Sequence, residues 1–360
     1  MRGVASGRMG LELRSKATPT TVRARVPLRL GLAGGGTDLA PYCDLFGGAV
    51  LNITIDRYAY AFIEPSPDGQ VHFIAPDIDA DESFPPDLAA FAEARLQLHA
   101  AVARRMCGEF ASGQMPAVCI TSFVDAPPGS GLGSSSALVV ALVEAFATLF
   151  GLPLGPYDVA HLAYQIERVD LGLAGGRQDQ YAATFGGINF IEFYADNRVI
   201  VNPLRVAQAI RNELETAMVI CFSGVSRRSE QIIAEQQRGM HDTDGGNLED
   251  LHQLKSDALE MKQALLRGEI AQMADVLGRS WQAKKRTAAG VSTGRIDELF
   301  ERALASGATA GKVSGAGGGG FMMFMAPPSR RFAVIRALNE AGAQAGGVHF
   351  TNDDAESWRV

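Results

Sequence analysis

"VDAPPGSGLGSSSALVVALVEAF", residues 124–146, changes character at its midpoint, where Pro, Gly and Ser give way to an apolar run. Leu138, Leu142, Ala145, Phe146 and Leu149 recur at helical spacing with valines on the flanks, so the second half predicts a helix apolar nearly all round and therefore buried. A helix N-terminus carries unpaired N–H groups and the positive end of the macrodipole, which together favour an anion. Gly129, Gly131 and Gly133 permit a backbone that folds N–H groups around phosphate oxygens. Ser134, Ser135 and Ser136 add hydroxyls for a phosphate or a magnesium ion. Taken alone, the stretch reads equally well as a serine-capped helix after a flexible turn. It is neither of two common nucleotide motifs. "GATAGKVS" (307–314) lacks the P-loop spacing, and "GSGLGS" lacks the spacing of a dinucleotide fingerprint.

Upstream, "TTVRARVPLRLGLA" (20–33) predicts a strand running into the turn "GGGTD" (34–38), and "GGAVLNITIDRYAYAFIEPS" predicts one or two more strands. Residues 86–111 predict a helix, and a further strand leads into the opening stretch. Downstream, a helix near 156–171 carries Val159, Leu162, Ala163, Ile166 and Val169 on one face, followed by the Gly-rich "GLAGGRQDQYAATFGGINFIEF". From about residue 205 the texture shifts to charged amphipathic helices at 225–240, 247–267, 269–285 and 294–306, then to "GATAGKVSGAGGGGFMMFMAP", a turn leading into a strand. The expected units are a loose basic leader (1–20), an N-terminal domain (21–205) and a C-terminal domain (206–360).

The bulk numbers narrow the function. The chain has 360 residues, 47% hydrophobic and 20% charged, which fits a well-packed protein of one or two domains. A net charge of −7 argues against nucleic acid, whose binding rests on Lys and Arg. It leaves room for a small anionic substrate. Cys43, Cys107, Cys119 and Cys221 include no CxxC pair, and no HExxH or membrane-length apolar run occurs. With no targeting signal, a cytoplasmic location is the expectation.

"PPGSGLGSSSA" resembles the phosphate-binding signature of the GHMP kinases. Two further motifs occur in the family's order: "RVPLRLGLAGGGTD" (25–38) resembles its N-terminal motif and "KVSGAGGGGFMMF" (312–324) its C-terminal one. The resemblance covers roughly residues 22–350. Within the family, "GGGTDLAPYCDLFGGAVLN", "GGRQDQYAATFGGIN", "FSGVSRRSEQI" and "WQAKKRTAAGVST" are similar to the subgroup acting on D-glycero-D-manno-heptose 7-phosphate.

That resemblance implies an α/β fold of two domains: an N-terminal domain mixing sheet and helices, a C-terminal ferredoxin-like domain, and the active site between them. It implies ATP as phosphoryl donor, Mg²⁺ as cofactor and a sugar phosphate as acceptor, and it leaves a homodimer open. The phosphate loop then comprises Pro128, Gly129, Ser130, Gly131, Leu132, Gly133, Ser134, Ser135 and Ser136. "RQDQ" puts Asp179 at the position of the catalytic base, and Glu167, twelve residues earlier, at that of the magnesium carboxylate beside Ser135. Arg29 takes the place of the cation that faces the nucleophile. Where galactokinase has "GEHTD", this chain has "GGGTD": Gly35 and Gly36 replace two sugar-reading side chains, while Thr37 and Asp38 remain. The departure argues against galactose and makes room for a bulkier sugar. Gly176, Arg177, Ser226, Arg227, Lys284, Gly315, Ala316 and Gly317 complete the expected substrate side. Arg228, Lys285, Arg286 and Lys312 are further candidates for the distal phosphate.

The parts also make chemical sense by themselves. Phosphoryl transfer is mostly positioning and charge neutralisation. Arg29 interrupts an apolar strand, where a charge is costly unless paired. Glu167 sits beside the apolar stripe of its helix, where an exposed carboxylate is the ordinary expectation.

Overall fold

The computed structural model describes residues 20–226, 229–240 and 247–360. Its first strand, β1 (Val22–Ala33), alternates at its start and is buried on both faces from Val26 onward. Leu28, Leu30 and Leu32 point into the core, which leaves Arg29 and Gly31 on the opposite face. After a short helix, α1 (Tyr42–Phe46), comes β2 (Gly48–Pro65), a single strand of 18 residues. β1 and β2 pair antiparallel with register shifts at Pro27/Leu28 and Gly31/Ala33. Proline cannot donate to the ladder, so a break at Pro27 is expected.

β3 (Val71–Ala75), β4 (Ala80–Phe84), β5 (Val118–Val124), β6 (Ile188–Phe193) and β7 (Val199–Pro203) complete most of this sheet. The length of β2 lets its first half pair β6 and its second half β5. The helix expected over 86–111 begins only at Gln97 (α2, Gln97–Phe110). Before it, the Glu82 carboxylate accepts the N–H groups of Arg95 and Leu96, each at 2.8 Å, and Leu88–Glu93 coils as a tight 3₁₀ turn. α3 (Ser134–Phe150) is the buried helix anticipated from its composition, with Val139, Val140, Leu142, Val143 and Phe146 inaccessible. Each such side chain contributes about 1.5–3 kcal/mol of burial. α4 (Pro156–Tyr164) and α5 (Gln178–Phe185) close this layer.

The later chain supplies α6 (Gln208–Ala217), β8 (Met218–Phe222), α7 (Ser229–Met240), α8 (Asn247–Arg267), α9 (Ile270–Arg286) and α10 (Gly294–Ala305). It continues with β9 (Ala310–Val313), β10 (Phe321–Met325), α11 (Pro328–Glu340), β11 (Gln344–Gly346) and β12 (Glu356–Arg359). β11–β8–β10–β9 form a second, antiparallel sheet. A separate core gathers there, including Val219, Met322, Phe324, Leu299 and Leu338. β12 returns to pair β1, so the end of the range 206–360 lies on the first sheet. α8 lies against β1 and β2, and α9 against β9, so the two sheets share a helical seam. Among the described residues, no helix is long and apolar enough to cross a membrane.

Candidate active site

The cleft between the two units, about 710 Å³, is centred on the loop before α3. Gly129, Gly131 and Gly133 all take positive φ, at 70°, 77° and 75°. Gly131 shows the reason: a Cβ there would stand 2.5 Å from the Ser314 carbonyl oxygen. The loop is clamped from both units. Arg29 N donates to Leu132 O (3.1 Å), and Phe321 N donates to Ser130 O (2.7 Å). Ser314 Oγ and Arg29 Nη1 donate to Gly131 O, at 2.9 and 2.8 Å. The Gly-rich turn before β10 therefore holds the loop as well as lining the cleft with Gly315 and Ala316.

Arg29 is 2% exposed and paired, as its place in an apolar strand requires. Its Nε and Nη2 both donate to Asp179 Oδ1, at 2.8 and 2.5 Å. No hydrogen bond among the described residues uses Oδ2 of Asp179, and the carboxylate lines the cleft beside Gly133. One oxygen is thus fixed by Arg29, and the other is unengaged.

Glu167 departs from the expected exposure: it is fully buried. α4 ends in a π-helical turn, Gln165–Asp170, with Leu171 N donating to Ile166 O, and this widened turn carries the carboxylate inward. Glu167 Oε1 accepts from Ser135 Oγ (2.8 Å), and Oε2 accepts from Ser136 Oγ and Gln180 Nε2 (both 2.7 Å). Ser135 and Glu167 line the cleft at the start of α3. Two hard oxygens on the cleft wall at the phosphate loop fit a magnesium ion, which takes one or two protein oxygens beside water and phosphate.

Asp38 is buried and accepts from Gly36 N (3.2 Å), Gln178 N and Gln178 Nε2 (both 3.1 Å). Lys284, in the last turn of α9, crosses to the same turn and donates to Gly35 O at 2.9 Å. Burial pushes its ammonium down from 10.5 to about 8, with Asp38 acting in the opposite sense. Lys312 is equally buried, 3.5 Å from Leu32 O. Burial, with Lys284 and Arg29 adding repulsion, pushes it down to about 7. Ser226 lines the cleft, and its hydroxyl donates to Pro128 O.

Several expected residues lie elsewhere. Thr37 is fully buried, its hydroxyl donating to Gly34 O and Ala49 O. Arg177 turns away to Tyr194 O and Asp44. Gly317 is wedged against Val291. Ser130, Leu132 and Ser136 sit behind the loop surface, wholly buried. Arg286 is engaged by Asp250, and Lys285 lies over the Trp281 ring. Arg227 and Arg228 lie outside the described residues.

Sequence reasoning missed the outer arm of the cleft. There Ile78, Leu96, Leu98, Val124 and Leu138 make an apolar slot, with Asp77, Arg95 and Gln97 at its rim. These residues come from separate segments with no shared spacing, so the sequence carries no signal for them. Gln236 and Ile233 of α7, which also line the cleft, were missed for the same reason.

Comparison with known proteins accords with this geometry. Residues 97–187 match the family model described as the GHMP kinases N terminal domain, and residues 261–344 match GHMP kinases C terminal. A D-glycero-alpha-D-manno-heptose 7-phosphate kinase from Campylobacter jejuni is 42% identical over 94% of this chain and 99% of its own length. The crystal structure of a D-glycero-D-manno-heptose 1-phosphate kinase from Bacteroides thetaiotaomicron is 39% identical, with a TM-score of 0.80 over 94% of this chain and 99% of that one. Lactococcus lactis galactokinase, 17% identical, shares the fold over 95% of this chain and 96% of its own, with a TM-score of 0.73.

Proposed function

This chain belongs to the GHMP kinase family and is a sugar-phosphate kinase; from that premise we propose that its acceptor is the anomeric hydroxyl of D-glycero-D-manno-heptose 7-phosphate, giving heptose 1,7-bisphosphate and ADP. The product would serve a route toward GDP-heptose for surface polysaccharide. The observation that carries the reading is the Arg29–Asp179 pair at the foot of the phosphate loop, with Oδ2 of Asp179 unengaged.

In this reading the loop from Pro128 to Ser136 receives the triphosphate through its amides and the dipole of α3. Glu167 and Ser135 would hold Mg²⁺, which neutralises charge on the phosphate oxygens when bound. Asp179 accepts the hydroxyl proton at Oδ2 as the anomeric oxygen bonds to the γ-phosphorus. The bond from that phosphorus to the β,γ-bridging oxygen breaks, and its electron pair leaves with ADP. Arg29 holds the Asp179 carboxylate in place and, through Nη1 on Gly131 O, ties it to the phosphate loop. Asp38 and Gln178 address sugar hydroxyls, and the Lys284 ammonium supplies charge for the distal phosphate.

The names of the two heptose-kinase relatives differ in the position of the phosphate, so the test must locate it. ADP release is measured over heptose 7-phosphate, free heptose, galactose and fucose, and the product is read by phosphorus NMR. Turnover restricted to the 7-phosphate, with a new anomeric phosphate signal, is expected. Equal rates with free heptose would remove the 7-phosphate from the assignment, and preference for fucose would make this a fucokinase-like enzyme.

A further inference from the structure

Arg168, beside Glu167 in the π-helical turn, has no part in the reaction as described, yet its guanidinium lines the cleft against the loop that leads to Asp179. Its Nη1 donates to Ala174 O (3.2 Å) and Leu173 O (3.5 Å), and its Nη2 donates to Ser136 Oγ (3.4 Å). Nη1 also lies 3.6 Å from Glu167 Oε1. The loop lies directly on the guanidinium: a Cβ at Gly175 would stand 2.2 Å from Arg168 Cζ and would push it aside. The next residue is equally confined from the other side, since a Cβ at Gly176 would stand 1.8 Å from Asp38 Oδ2. Two positions later begins α5, whose Gln178 bonds Asp38 and whose Asp179 bonds Arg29.

We propose that Arg168 is a positioning residue for phosphoryl transfer: its guanidinium ties the Glu167–Ser136 corner to the loop 171–176, and through that loop sets the place of Asp179 relative to the donor phosphate. Leu171 is anchored by its N–H on Ile166 O (3.1 Å) and by packing on the core. From Leu173 to Gly176 the fastenings among the described residues are the Leu173 N–Glu167 O bond (3.2 Å) and the Arg168 fork, and these four residues line the cleft. A planar guanidinium satisfies two carbonyls and a hydroxyl at once, which the point charge of a lysine does not.

The inference rests on the kinase reading for its catalytic consequence, and the experiment separates the two. Arg168→Ala is compared with wild type by steady-state kinetics, by binding of a fluorescent ATP analogue and by hydrogen exchange of residues 171–176. The expected result is a kcat lowered about a hundredfold, as for a misplaced reacting group, with unchanged nucleotide affinity and faster exchange confined to that loop. Added guanidinium ion, filling the vacated space, should restore part of kcat. Gly175→Ala, which displaces the guanidinium while keeping it present, should give the same kcat loss and decides the matter if Arg168→Ala does not fold. Normal kcat in both variants, or unaltered exchange in the loop, would overturn the proposal. An inactive wild type would instead overturn the kinase reading, while the exchange measurement would still report on the tie.

Discussion

At the inner end of the cleft, Gly131 O accepts from both Arg29 and Ser314 while Ser130 O accepts from Phe321; elsewhere Ile78, Leu96, Leu98 and Leu138 line the same cleft with apolar side chains. The first arrangement is directional. Moving one backbone group disturbs bonds to β1, to the β9–β10 turn and to Asp179 together. The second is a matter of area, and a neighbouring side chain can take up a lost methyl group. Chemistry that depends on alignment belongs at the inner end, and affinity without alignment at the outer.

Substitutions test this contrast. The largest effect is expected for Asp179→Asn, which keeps shape but removes the acceptor: kcat should fall by about 10³-fold with nucleotide affinity intact. Near-normal turnover would take Asp179 out of the mechanism. Gly131→Ala comes next. Its φ of +77° and the Ser314 carbonyl 2.5 Å from the new Cβ leave no accommodation. We expect kcat/KM for ATP to drop roughly a hundredfold with a stability loss of about 1–2 kcal/mol. Retention of full activity would show that the loop does not grip the donor.

Lys284→Met probes the sugar side, where one buried charge is asked to meet an anion. The KM for the sugar phosphate should rise roughly tenfold or more, with kcat for the bound complex little changed. The wild-type KM should also climb as pH passes through about 8, where the ammonium loses its proton, and the variant should lack that climb. At the outer arm, which we assign to the nucleoside of ATP because the phosphates are taken by the loop at the inner end, Leu98→Ala should raise the KM for ATP only about fivefold, the equivalent of about 1 kcal/mol of lost burial. A fall in kcat there would contradict the division between the two ends.

The smallest effect concerns stability. Lys312 titrates near 7 when folded and near 10.5 when unfolded, so the unfolded chain binds the extra proton between those values. Stability then rises with pH across that window, and the buried charge is fully destabilising below it. Lys312→Met should raise Tm by roughly 2–4 °C at pH 6, and the gain should shrink as pH rises toward 10.5. A gain independent of pH would mean that packing, not charge, is responsible.

The same contrast decides how much the order of amino acids reveals by itself. The glycines of 129–133, the helix behind them, Arg29 in its apolar strand and the Glu167–Asp179 spacing are local patterns, and local patterns survive in a linear string. The burial of Glu167 is not legible there, because a π-helical turn shifts the facing that regular periodicity assigns. Thr37 and Arg177 mislead for another reason: both lie in Gly-rich turns beside true cleft residues, and only the three-dimensional course of the turn shows which side chains point inward. The outer slot is assembled from fragments scattered between Asp77 and Leu138, none of which carries a pattern of its own. α2 starts at Gln97 rather than near residue 86 because the Glu82 carboxylate, from a strand, supplies acceptors that a helix would otherwise provide.

The most direct measurement is a crystal structure of the protein with a non-hydrolysable ATP analogue, Mg²⁺ and the sugar phosphate. The β- and γ-phosphates are expected against the amides around Gly131, with the anomeric oxygen hydrogen-bonded to Asp179 Oδ2 and in line with the γ-phosphorus. A triphosphate seated away from that bend, or an acceptor oxygen out of reach of Asp179, would contradict the kinase mechanism at its centre.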